Sequence, residues 1–110
     1  MSIIHIVLFQ FKQDATHEAV QDACKCMLGL KDHCLHPSTD KAYIKSASGG
    51  RDNSPEGVQG GITHAFVVEF ETAADRDYYV AEDPVHQEFV KSLGGLVQKA
   101  QVVDFTPGVL

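Results

Sequence analysis

The chain contains no tryptophan, two methionines and three cysteines in 110 residues. The cysteine count is odd, and Cys24, Cys26 and Cys34 fall in one stretch that reads as helix. No disulfide framework follows from that spacing; it is the pattern of reduced thiols used as small core or surface residues. Basic residues are scarce as well. Nine Lys and Arg stand against fifteen Asp and Glu, a formal net charge of −6. A surface this acidic repels a phosphate backbone, and no run of basic residues offsets it, so nucleic acid is not expected as a partner. No apolar stretch approaches the roughly 20 residues of a membrane span. No basic segment followed by an apolar run opens the chain, so a cytoplasmic protein without a membrane partner is expected.

Cofactor signatures are missing too. Gly49-Gly50-Arg51 and Gly60-Gly61 fit neither GxGxxG nor a P-loop. HExxH and CxxC do not occur, and His33-x-x-His36 has no clear further ligands. Neither a cofactor nor a metal is therefore expected.

What is present is ordinary globular material: 44% hydrophobic and 22% charged residues, enough for one domain over residues 1–110. Ile3 to Phe11 alternates, with both sets mostly apolar, and predicts a strand covered on both faces. Asp14 or Thr16 opens a helix that runs to about Cys34, where Pro37 turns His36 away from helical angles. A second strand is expected from Lys41 to Ser48, then a long polar connection from Gly49 through Gly61. Ile62 to Glu71 is the clearest strand. Thr72-Ala73-Ala74-Asp75 opens a short helix, and Asp83-Pro84 opens another as N-cap and first helical residue. Gln101 to Phe105 is the last strand.

The order is β-α-β-β-α-β, with the second helical region in two pieces. Right-handed crossovers place both helical regions on one face of a four-stranded antiparallel sheet, a ferredoxin-like α+β fold. The other face then exposes Ile4, Ile6, Leu8, Ile44, Ala65, Val67, Val103 and Phe105. Large side chains of this kind are worth roughly 1.5–3 kcal/mol each when buried. A second copy packed sheet to sheet covers them, so a homodimer is expected.

Polar residues interrupt the apolar strands at His5, His64 and Asp104. Parity puts His5, Val7 and Phe9 on the helix-covered face, together with His64, Phe66 and Asp104. His86 lies in the first turn of the third helix, with Tyr78 and Tyr79 upstream. A helix N-terminus disfavours an imidazolium, whereas a carboxylate such as Asp104 orients the ring and stabilises the charge once a proton is taken. A tyrosine hydroxyl can donate to a developing oxyanion. This pairing suits enolisation or aldol-type chemistry on a carbonyl compound. His5 or His64 taken alone reads more readily as a satisfied core residue, His86 equally as part of the helix start, and Phe66 as plain core.

His5-Ile6-Val7-Leu8-Phe9-Gln10-Phe11-Lys12, Thr63-His64-Ala65-Phe66-Val67-Val68-Glu69-Phe70, Asp83-Pro84-Val85-His86 and Val102-Val103-Asp104-Phe105 occur in this order. Together they resemble segments of the stress-responsive A/B barrel domain family, which includes olivetolic acid cyclase. The resemblance implies a dimeric α+β barrel. It implies His86 and a tyrosine as an acid–base pair, with Asp104 as the carboxylate partner of His86. Tyr78 and Tyr79 both qualify as that tyrosine, because the stretch before Asp83 is one residue longer here than in the cyclase. Tyr79 is taken as the catalytic one. Tyr78 is placed with His5, His64, Val7, Phe9 and Phe66 as substrate-contacting. The first helix carries Ala23, Cys24, Met27 and Leu28 where the cyclase has bulkier aromatics, so the substrate is expected to differ. The expected function is uptake of a small carbonyl-rich, polyketide-like or aromatic molecule, with cyclase or lyase chemistry that needs no cofactor. The alternative is a non-catalytic stress-responsive dimer with core histidines.

Overall fold

The computed structural model describes residues 1–110. β1 (Ile3–Phe11) is followed by α1 (His17–His33), β2 (Ile44–Arg51), β3 (His64–Phe70), α2 (Ala73–Ala81), α3 (Pro84–Ser92) and β4 (Val97–Phe105). The strands form one antiparallel sheet in the order β2-β3-β1-β4, so the two central strands are the apolar β1 and β3. This is the expected ferredoxin-like α+β arrangement, with the second helical region split in two.

The helix starts obey local chemistry. Thr16 accepts the amide hydrogen of Ala19, and Thr72 accepts that of Asp75. Asp83 accepts those of Val85 and His86, with Pro84 filling the first helical position, where its missing N–H costs nothing. Cys34 lies one residue past the end of α1, as its C-cap, and is fully buried.

β2 starts later than expected and includes Gly49-Gly50-Arg51, expected to belong to the connection that follows. Gly49 sits opposite Phe66, and a Cβ there would lie 2.2 Å from a carbon of that ring. Only a glycine lets the edge strand close against the aromatic side chain. A register shift between Ile44 and Ser46 also reverses the parity of β2. Ile44, expected on the outer face, therefore turns inward beside Phe70 and is buried. β4 begins at Val97 rather than Gln101, because β1 pairs with it along nearly its whole length.

The core lies between sheet and helices. Ile3, Val7, Phe9, Phe11, Phe66, Val68 and Phe70 meet Ala23, Met27 and Leu30 of α1, Tyr79 of α2 and Phe89 of α3. On the opposite face Ile6 lies between Val67 and Val103. Val67, Val103 and Phe105 remain 41%, 58% and 45% exposed in the single chain. No helix is long and apolar enough to cross a membrane.

Candidate functional site

A cavity of about 750 Å³ lies between the β1–β4 half of the sheet and helices α2 and α3. Alternation along β1 turns His5, Val7 and Phe9 into it, and antiparallel pairing sets Asp104, Val102 and Ala100 directly across. α2 contributes Arg76, Tyr79 and Val80, at the i, i+3, i+4 spacing of one helix face. α3 contributes His86, Phe89 and Val90 by the same rule, and its C-cap Leu93 adds to them. The walls are chiefly apolar, with a few convergent polar groups, the usual make-up of a small-molecule site.

His5 Nδ1 and Asp104 Oδ1 are 2.7 Å apart. A carboxylate only accepts, so Nδ1 carries the hydrogen of this bond. Asp104 Oδ2 accepts from Arg76 Nη1 at 2.8 Å, and Arg76 Nε donates to Asp77 at 2.7 Å. The guanidinium is thus spent on two carboxylates. Asp104, expected as the partner of His86, is instead the partner of His5. The reason is the β1–β4 register, which sets these two residues opposite one another although 99 positions apart.

His86 stacks on Tyr79, with ring centroids 3.9 Å apart and planes inclined by 27°. His5 meets the same tyrosine edge-on at 5.8 Å. Nδ1 of His86 is buried without a hydrogen-bond partner. Burial lowers the pKa of His86; His5 adds to that, and the Tyr79 carbonyl and Asp83 oppose it. Burial, with Cys34 and Asp83, raises the pKa of Tyr79, which keeps its hydroxyl protonated as a donor. The pair therefore offers a neutral base beside a protonated acid.

Asp83 fixes where that pair stands. It has no solvent exposure, and besides capping α3 it accepts the Tyr43 hydroxyl hydrogen at 2.5 Å. Burial and the same carboxylate push the Cys34 thiol up to about 12. The sequence announces Asp83 as a cap but gives no sign of Tyr43, which is 40 residues away. Arg76 and Met27 also line the cavity, and no motif singled them out as site residues.

Three expected site residues lie elsewhere. His64 shares the correct sheet face but pairs with Phe9 at the far end of β1, so strand length separates it from His5. It lines a second cavity instead. Phe66 is 1% exposed and packs into the core beside Phe9. Tyr78 is turned from Tyr79 by one helical step and packs against His36 and Tyr43. No group of three or more His, Cys, Asp or Glu side chains gathers closely enough to hold a metal ion.

The chain belongs to the Stress responsive A/B Barrel Domain family, whose model matches residues 3–107. It is 29% identical over 103 residues to the stress-response A/B barrel domain-containing protein HS1 of Arabidopsis thaliana, covering 94% of this chain and 87% of that one. Its fold resembles the hydroxynitrile lyase of Passiflora edulis, with a TM-score of 0.83 and 20% identity over 99% of this chain and 96% of the lyase. It also resembles a ferredoxin-like protein of Bacteroides fragilis, described as dimeric, with a TM-score of 0.66 and 23% identity over 94% of each chain.

Proposed function

We propose that this member of the A/B barrel family is a homodimer that takes a small carbonyl-bearing molecule, aromatic or polyketide-like, into the β1–β4 cavity. There it carries out acid–base chemistry without a cofactor, an aldol-type cyclisation or a related lyase step. The observation that carries this reading is the stack of His86 on Tyr79 at the wall of an otherwise apolar cavity. His86 lines the cavity while its Nδ1 is buried without a hydrogen-bond partner, which costs stability.

Neutral His86 removes a proton from the carbon next to a carbonyl. Tyr79 donates a hydrogen bond to the enolate oxygen that forms. The enolate carbon then attacks a second carbonyl of the same molecule, a carbon–carbon bond forms, and the new alkoxide takes the proton back from His86. His5, oriented by Asp104, supplies a second ring at the same tyrosine. Because Arg76 is already neutralised by Asp104 and Asp77, the site favours an uncharged ligand.

The dimer rests on the outer sheet face. A second copy would cover Ile6, Val67, Val103 and Phe105, and a fold relative is described as dimeric.

Titration of the full chain with acetophenone, followed by amide NMR, tests the site. Saturable shifts at Tyr79, His86 and Val102 are expected, and His86→Ala should abolish them while leaving the melting temperature nearly unchanged. A large loss of stability in that variant, with no binding in the wild type, would make the histidines core packing in a non-catalytic stress-related dimer.

A further inference from the structure

A second cavity of about 520 Å³ opens at the other end of the sheet, where β1 and β2 finish and α1 and β3 begin. It gathers basic side chains that the sequence scatters: Lys12 after β1, His17 at the start of α1, Arg51 at the end of β2 and His64 at the start of β3. In a chain of net charge −6 with nine basic residues, this is a local reversal of sign. Neither Lys12 nor Arg51 forms an ion pair. The one carboxylate in the lining, Asp52, accepts the amide hydrogen of Ser54 at 3.2 Å.

The frame behind these side chains is fixed by Thr63. Its hydroxyl donates to the Phe9 carbonyl at 3.2 Å and accepts from the Phe11 amide at 3.2 Å. His64 Nδ1 lies 2.9 Å from the same oxygen. The hydroxyl has one hydrogen, already given to Phe9, so Nδ1 must be the donor. The ring edge packs against Phe11 with centroids 5.0 Å apart. Nε2 is therefore the remaining polar atom of a ring held in one orientation, an acceptor when neutral and a donor when protonated.

We propose that this second cavity binds a small dianion, a phosphate monoester or a group of like charge and shape, through Arg51, Lys12 and His64. Two permanent cations match the charge of about −2 on such a group, and a guanidinium fork suits its oxygens. His64 adds a proton-linked contact. Burial and Arg51 both hold this imidazole neutral in the free protein. A bound dianion offsets Arg51, so binding draws a proton onto Nε2 and strengthens as pH falls. His17 and Asp52 also face the cavity, and the Asp52 carboxylate repels a dianion. This inference is independent of the chemistry assigned to the first cavity.

Amide NMR titration of the full chain with sulfate, at constant ionic strength, tests it without a change in the probe's own charge. Saturable shifts confined to residues 12–17, 51–52 and 63–64 are expected. Affinity should be several-fold higher near pH 5.5 than near pH 8. Arg51→Ala should weaken binding about tenfold or more, the loss of a charge-assisted contact. Should that variant fail to fold, Lys12→Ala carries the same expectation. His64→Asn keeps a donor for Thr63 but removes Nε2, and should flatten the pH dependence relative to the wild type, with His17→Gln as the comparison. A phosphate monoester should then bind at the same residues. Unsaturable shifts spread over the surface, or affinity indifferent to both Arg51 and Lys12, would overturn the proposal.

Discussion

At Asp83 a carboxylate with no solvent contact accepts two amide hydrogens and a phenol. Asp83→Ala removes a helix cap and leaves the Tyr43 hydroxyl stranded, so urea denaturation should show a loss of about 2–4 kcal/mol. Tyr43→Phe should cost about 1 kcal/mol, and the two losses should not add, because they share one bond. Titration gives a second check at this scale. His86 and His64 are both held below the ordinary value of 6.5 by burial. The unfolded chain therefore takes up protons first as pH falls. The stability tied to the neutral rings is fully present above about pH 6.5 and lost as pH drops through the lowered folded-state values. The urea midpoint should decline from pH 7.5 to 5, and His86→Gln should make that decline shallower; an unchanged slope would show that His86 is not held neutral. His5, His86 and Asp104 stood out in the sequence as polar residues at apolar or capping positions. Which of them pair did not, because the contact of Asp104 with His5 depends on strand register, and that of Asp83 with Tyr43 joins segments 40 positions apart.

Among the elements, β2 shows where sequence pattern fails and why. Its first residues alternate as expected, but the shift after Ile44 reverses parity, and its last residues look like a loop because they are glycines. Gly49 is there to clear the Phe66 ring, not to make a turn. Gly49→Ala should therefore destabilise the protein by about 1–3 kcal/mol through overpacking, and should speed hydrogen exchange along β2 more than along β1. Equal exchange in the two strands would mean that the edge accommodates a methyl group without detaching. By contrast the starts of α2 and α3 were legible to the residue and that of α1 to a choice between Asp14 and Thr16, since Thr16, Thr72 and Asp83 act on their own local amides. Site placement was legible to the extent of sheet face but not of distance along it. His64 and His5 share parity, yet four positions of β1 separate the rows in which they sit.

For the whole molecule, two cavities flank a sheet whose other face is apolar and open in the single chain. Ile6 lies at the middle of that face, between Val67 and Val103. Ile6→Asp should convert a dimer into monomers by sedimentation at micromolar concentration, with little change in the β1–β4 cavity on the opposite side. A wild-type chain that sediments as a monomer would contradict the sheet-to-sheet dimer. The overall architecture was the most legible level, because element order and handedness leave few alternatives once the strands are recognised.

The central claim is that His86 acts as a base on carbon beside a carbonyl. The most direct measurement is the rate at which the methyl protons of acetophenone exchange in deuterium oxide. The wild-type protein should accelerate it over buffer, and His86→Gln should lose about 100-fold or more of that acceleration. A wild-type rate equal to that of buffer, or an acceleration that survives His86→Gln, would contradict it.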